Sequence, residues 1–249
     1  MDLRGKVALI TGGTMGIGEA IARAIIKQGG SVAITARQGG PHVDALLKEW
    51  QAQGAKAVFL PGDMSVPADC AAAVSQTIQQ LGRLDILVHN AGGPAWGKIE
   101  EISPEDWHNC MNLHVNALFY LCRAALPEMR KHKEGAILTV ASSAAIRGVP
   151  GAIVYATAKG ALLNFTRCLA RDVADDNIRV NSIAPGVIRT RFHASMTEER
   201  KQYNLQNRIP LRREGTAEQV ADACMTLITN DYITGEVLVI DGGLTSRIA

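Results

Sequence analysis

Tyr155 and Lys159 stand four positions apart in the run VYATAKGA, residues 154–161. In a helix, residues i and i+4 share a face, with Cβ atoms roughly 5–6 Å apart. A free phenol titrates near pH ~10 and is a poor acid or base at neutral pH. A lysine cation alongside favours the phenolate and pulls that value down. The pair is therefore a candidate tuned proton donor and acceptor. An incidental surface pair has the same spacing, so the surrounding elements must supply the context.

Those elements alternate regularly. Apolar runs at 6–11, 31–36, 55–60, 84–90, 136–142, 178–184 and 236–241 read as strands. They are continuously hydrophobic, as strands buried on both faces are. Helix-like spacing fills 16–29, 41–53, 67–82, 104–132, 153–175 and 216–229, with start signals at Ser65-Val66-Pro67, Ser103-Pro104-Glu105 and Thr216-Ala217-Glu218. The alternation predicts an α/β fold: Rossmann-type, doubly wound, with a seven-stranded parallel sheet and helices on both faces. No linker or repeat divides it, so residues 1–249 read as one nucleotide-binding domain. Only 185–215 breaks the rhythm, as a substrate-binding loop or lid would.

Composition narrows the function classes. With 47% hydrophobic and 20% charged residues, 249 residues can build a sizeable core. A net charge of +2 gives no global field toward nucleic acid or anionic membranes. There is no 18-residue apolar run and no zoned signal peptide, which predicts a cytoplasmic protein. The cysteines Cys70, Cys110, Cys122, Cys168 and Cys224 are scattered through helix-like stretches. They read as reduced core thiols, with no metal site expected.

Directly after the first strand comes TGGTMGIG, comprising Thr11, Gly12, Gly13, Thr14, Met15, Gly16, Ile17 and Gly18. Glycines in a strand-to-helix turn let the backbone approach a pyrophosphate, and the next helix offers free N–H groups. The end of the second strand should read the ribose. It carries Ala36-Arg37 and no carboxylate. A guanidinium matches a 2′-phosphate in charge and geometry, which favours NADP(H), with NAD(H) as the alternative.

With these motifs stand Asp63 after strand three, NAGG at 90–93, a Ser-x12-Tyr-x3-Lys constellation, RVNSIAPG at 179–186 and TGEVLVIDGG at 234–243. Together they resemble the short-chain dehydrogenase/reductase family over essentially the whole chain, and are similar to its 3-oxoacyl-carrier-protein reductases. The resemblance implies an oxidoreductase moving hydride between nicotinamide and a carbonyl or secondary alcohol. It implies Tyr155 as general acid/base, Lys159 as its partner and ribose ligand, and Ser142 as the hydroxyl orienting the substrate, with Ser143 the rival. It implies adenine-side contacts from Asp63, Met64, Asn90, Ala91 and Gly92. Pro185, Gly186 and Ile188 would hold the nicotinamide, and Thr190 a phosphate.

One position departs from the family pattern. An asparagine is usual seven residues after the tryptophan of Asp106-Trp107, and this chain has His114 there, flanked by Asn112 and Asn116. A histidine there could hold a relay water to Lys159 and titrate near pH ~6–7. The alternative is that the backbone carbonyl does that work.

The pocket walls should be Gly93–Trp96, Ala144–Pro150 and 187–210. Trp96 offers a flat apolar surface, and Arg147, Arg189, Arg191 and His193 are potential cations near the mouth. One pointing inward would favour an anionic substrate. The resemblance implies a homotetramer pairing through about 104–132 and 153–175. An acyl carrier protein could meet Arg130 and Arg171. Competing readings are a sugar or polyol dehydrogenase, a dehydratase or epimerase, and a nucleotide-binding regulator without turnover.

Overall fold

The computed structural model describes residues 1–193 and 196–246, and the side chain of His193 is not described. Ala194 and Ser195 of the predicted loop, the predicted His193 cation and the last three residues of the predicted domain lie outside it.

The chain alternates β1 (Val7–Thr11), α1 (Gly16–Lys27), β2 (Ser31–Ala36), α2 (Pro41–Ala52), β3 (Ala57–Pro61), α3 (Pro67–Leu81) and β4 (Ile86–His89). Then follow α4 (Pro104–Met111), a π-helical turn (Asn112–Asn116), α5 (Ala117–His132), β5 (Gly135–Val140) and α6 (Ile153–Asp172). The chain continues through β6 (Ile178–Pro185), α7 (Glu198–Tyr203), α8 (Ala217–Thr229) and β7 (Val237–Ile240). The seven strands form one parallel sheet ordered β3-β2-β1-β4-β5-β6-β7, as the alternation predicts. The order reverses between β1 and β4. In open α/β sheets that reversal opens a crevice at the strands' carboxyl ends.

Two apolar layers sandwich the sheet. Ile21 and Ile25 of α1 and Val220, Cys224 and Ile228 of α8 pack with Ile10, Ile34 and Val88 on one face. Val74 of α3, Leu118 and Leu121 of α5 and Leu162 of α6 pack with Leu9, Leu87 and Ile137 on the other. Neighbours along one strand, such as Leu9 and Ile10, belong to opposite layers, which is why the strand runs are unbroken rather than alternating. Arg179 of β6 ties the sheet to α8. Its Nη1 donates to Leu227 O at 2.7 Å and its Nη2 to Ile228 O, placing a cation on the negative end of that helix.

Several local expectations need correction. The segment 104–132 is not one helix, because the π-helical turn interrupts it. Ser65 does not cap α3. It donates to Asp63 instead, and Val66 precedes the helix without a side-chain cap. The start at Thr216 is fully built: its hydroxyl accepts from Gln219 N while Gln219 Oε1 accepts from Thr216 N. Of the predicted core thiols, Cys168 is exposed, because it lies on the outer face of α6. Among the described residues no helix is long and apolar enough to cross a membrane.

Candidate active site

The glycine turn lies at the sheet's order reversal, beside the end of β4. Thr11 Oγ1 accepts from the amides of Asn90 and Ala91, both at 3.0 Å. Asn90 Nδ2 donates to Thr11 O and Gly12 O, both at 3.0 Å. These bonds fix the turn against the post-β4 segment. A Cβ on Gly18 would sit 2.3 Å from Gly12 O, so only glycine lets α1 begin this close to β1. The helix starts at Met15 without a side-chain cap, leaving its first N–H groups facing the crevice. Thr14 is buried, and its carbonyl meets His42 Nε2 at 3.1 Å, a contact the sequence did not suggest. Thr190 arrives from beyond β6, with its methyl 3.3 Å from where a Gly16 side chain would begin. An uncapped helix start behind a cradle that side chains would fill suits a dinucleotide's phosphates.

The remaining predicted cofactor residues ring this turn. Arg37 is exposed just past β2. Asp63 lies past β3, its carboxyl held below the usual range by the Ser65 amide and hydroxyl, with the Arg37 charge adding. Met64 is buried, and its carbonyl accepts from Cys70 Sγ. Pro185 ends β6, Gly186 N donates to Ile240 O at 2.9 Å, and buried Ile188 bridges to Gly215 across the base of the loop.

Tyr155 and Lys159 are both buried on the inner face of α6. The Lys159 Nζ lies 5.8 Å from the Tyr155 ring centroid and donates to Val140 O at 2.7 Å. Ser142 follows β5 in extended backbone and accepts from Ala144 N at 3.1 Å. Of the two adjacent serines, Ser142 is the one whose hydroxyl acts on the Tyr155 phenol, opposing the effect of burial. The expected direction of the phenol's shift is overturned. Burial pushes Tyr155 up to about 12, and the Ser142 hydroxyl only partly offsets this. Burial also pushes Lys159 down to about 8, with the nearby Cys110 opposing. Desolvation outweighs the attraction that spacing suggested, because both groups have left water.

His114 is also brought to Tyr155, its ring edge-on with centroids 5.7 Å apart. Asn116 Nδ2 donates to Asn112 Oδ1 on the outside of the π-helical turn, so His114 alone of the three faces inward. Its Nε2 lies 3.0 Å from Gly93 O and 3.3 Å from Gly93 N. The shorter contact assigns the proton to Nε2, which leaves Nδ1 as a bare acceptor with no partner among the described residues. The expected titration near neutral pH is corrected: burial, then the Lys159 charge, push His114 down to about 2. Its carbonyl is also engaged, accepting from His89 Nε2 at 2.9 Å. Sequence reading missed His89, which is buried and held neutral, down to about 4, by the same two effects.

Two more rings close on Tyr155. Trp96 lies 5.8 Å away and Phe192, also missed, 5.9 Å away. The predicted cations do not gather there. Arg147 and Arg191 are exposed, and Arg189 is exposed and paired with Glu214 at 3.4 Å.

Sheet order and crevice define a Rossmann-type α/β protein with a glycine turn after β1 and the serine, tyrosine and lysine in the segments after β5. Comparison with known proteins agrees. A family model described as enoyl-(acyl carrier protein) reductase matches residues 12–245. An uncharacterized oxidoreductase of Thermotoga maritima is 38% identical, with 99% of this chain and 100% of that protein covered. The 3-oxoacyl-[acyl-carrier-protein] reductase FabG of Chlamydia trachomatis is 34% identical over 96% of this chain and 97% of its own length. The crystal structure of a blue fluorescent protein from a metagenomic library, in complex with NADPH, superposes with a TM-score of 0.92 at 35% identity, covering 98% of this chain and 99% of that one. The chain belongs to the short-chain dehydrogenase/reductase family of oxidoreductases.

Proposed function

We propose that this protein is an NADP(H)-dependent carbonyl reductase, built as one domain with 185–215 as its substrate loop. The observation that carries the reading is the buried Tyr155 with the Lys159 ammonium one turn further along α6, 5.8 Å from the Tyr155 ring centroid. The cofactor would lie over the glycine turn, held by Gly12, Thr14, Met15, Gly16, Ile17 and Gly18. Asp63, Met64, Asn90, Ala91 and Gly92 would take its adenine half. Lys159, Pro185, Gly186, Ile188 and Thr190 would take its nicotinamide half. The chemistry such a cofactor supplies when bound is hydride transfer to a carbonyl carbon or from the carbinol carbon of an alcohol. Exposed Arg37, with no carboxylate at the end of β2, supports the 2′-phosphorylated form. So does the NADPH bound by the metagenomic relative.

Ser142 donates to the substrate oxygen and fixes its place. Tyr155, raised to about 12, keeps its proton at any working pH and delivers it to that oxygen as charge builds there. Lys159, lowered to about 8, holds the cation that steadies the phenolate left behind. A protonated phenol suits reduction, whereas oxidation needs the phenolate and should be favoured by alkali. His114 stays neutral and orients Gly93 rather than shuttling protons. Arg130 is paired with Asp176 at 2.7 Å, which weighs against it as a carrier-protein contact. Competitive titration of NADPH against NADH, with turnover on a ketone panel, tests the reading. Tighter binding of NADH, or no carbonyl turnover, would overturn it. A homotetramer through α5 and α6 is part of the same proposal and is read by light scattering.

A further inference from the structure

We infer that Trp96 and Phe192 form an aromatic clamp selecting a flat, uncharged ketone, with an aryl or other conjugated ring beside the reacting carbonyl. This rests on the carbonyl-reductase reading above. Trp96 comes from the segment after β4 and Phe192 from the segment after β6. Their rings meet the Tyr155 ring at 5.8 and 5.9 Å, tilted 41° and 45°. The proton donor is therefore flanked by aromatic surface from two directions. Trp96 is 55% exposed although it touches a side chain that is only 7% exposed. It is not on a loose loop: Gly97 N donates to Gly151 O at 2.8 Å, and Gly97 bridges Ala152 at the start of α6. That bridge sets the Trp96–Ile99 stretch beside Ile153. Ile99 and Ile153 are exposed as well, and so is Ile146 beyond β5.

Among the described residues, the one cation lying against the Tyr155 ring is Lys159. Among the described residues, Trp96, His114, Phe192 and Lys159 lie against the Tyr155 ring. His114 is neutral, and Lys159 donates to Val140 O. Arg189 turns to Glu214, and Arg208 Nη1 donates to Asn204 Oδ1 at 3.0 Å. Against these ring faces the carboxylate of a keto acid would lose its water. The hydroxyls of a keto sugar would lie against ring surfaces that cannot accept conventional hydrogen bonds. A planar ring gains offset or edge-to-face contacts with both aromatics.

The test is steady-state reduction with NADPH of four carbonyl compounds: an aryl alkyl ketone, a small dialkyl ketone, a keto sugar and an α-keto acid. Wild type is compared with Trp96→Ala, Trp96→Phe and Phe192→Ala, each checked for folding by circular dichroism. The aryl ketone should lead the keto acid by roughly 10²-fold or more in kcat/KM. Trp96→Ala should cost the aryl ketone about 10-fold, through KM, and barely touch the dialkyl ketone, while Trp96→Phe restores most of it. Preference for the sugar or the acid, or equal losses on all four substrates, overturns the clamp and leaves the reductase reading standing. Wild type reducing none of the four overturns both.

Discussion

Lys159 carries a charge that the fold would be more stable without. Its value falls from 10.5 to about 8 because its ammonium is buried. A lowering of one pH unit is worth about 1.4 kcal/mol, so the folded state gives up about 3 kcal/mol at neutral pH. The bond to Val140 O returns about 1 kcal/mol. Lys159→Met should therefore abolish reduction yet stabilise the protein by about 2 kcal/mol at pH 7. The sign changes with pH. Below about 8 both states hold the proton and the penalty is complete. Between 8 and 10.5 the unfolded chain binds more protons than the folded one, so the wild type gains stability as pH rises. The variant's advantage should shrink by about 1.4 kcal/mol per pH unit and reverse near pH ~9.5. The buried thiols of Cys70, Cys122 and Cys224 pull the other way above pH 9, since burial raises each. They are common to both proteins and cancel in the difference. Urea unfolding of both proteins at pH 7, 8, 9 and 10, at constant ionic strength, reads it. A difference that is flat in pH would mean that Lys159 titrates alike folded and unfolded, and that its burial carries no penalty.

Other consequences follow from neighbouring groups. A Cβ on Gly92 would lie 2.4 Å from His114 Cε1, so Gly92→Ala should cost about 1–3 kcal/mol as the ring is displaced from Gly93. His114→Asn should absorb most of that loss, and additive melting temperatures in the double variant would show that the two do not share space. His89 and His114 fall from 6.5 to about 4 and about 2, so their contribution is complete above pH 6.5 and is lost as pH falls. Stability should drop by roughly 2–3 kcal/mol per pH unit just below that range, with about half the slope in His114→Asn, as followed by chemical denaturation. Arg37→Asp should weaken NADPH binding by about 10-fold or more with little effect on NADH, as measured by fluorescence titration.

The sheet was legible because buried parallel strands write unbroken apolar runs. The run 31–36 coincides with β2, and the other strands lie within one or two residues of theirs. The break in 104–132 was not legible, since apolar spacing runs straight through it. What coincides with it is a tertiary bond, His89 Nε2 to His114 O, joining residues far apart in sequence. His89 read as the polar end of a strand for the same reason. Spacing alone offered Tyr155 and Lys159 only as a candidate pair, the family resemblance singled them out with Ser142, and the fold buries the pair on one face of α6. Their acidities were not visible, because desolvation depends on what covers a group rather than on what lies one turn away. Phe192 gave no signal in sequence; only folding brings it to Tyr155.

The proposed activity requires Tyr155 as the proton donor to a substrate carbonyl. Its direct measurement is single-turnover reduction of a ketone by the wild type and by Tyr155→Phe, with NADPH affinity titrated for each. The account predicts matching affinities and a rate lower by about 10²-fold or more in the phenylalanine variant. Rates within a few-fold of each other, at equal NADPH occupancy, would contradict it.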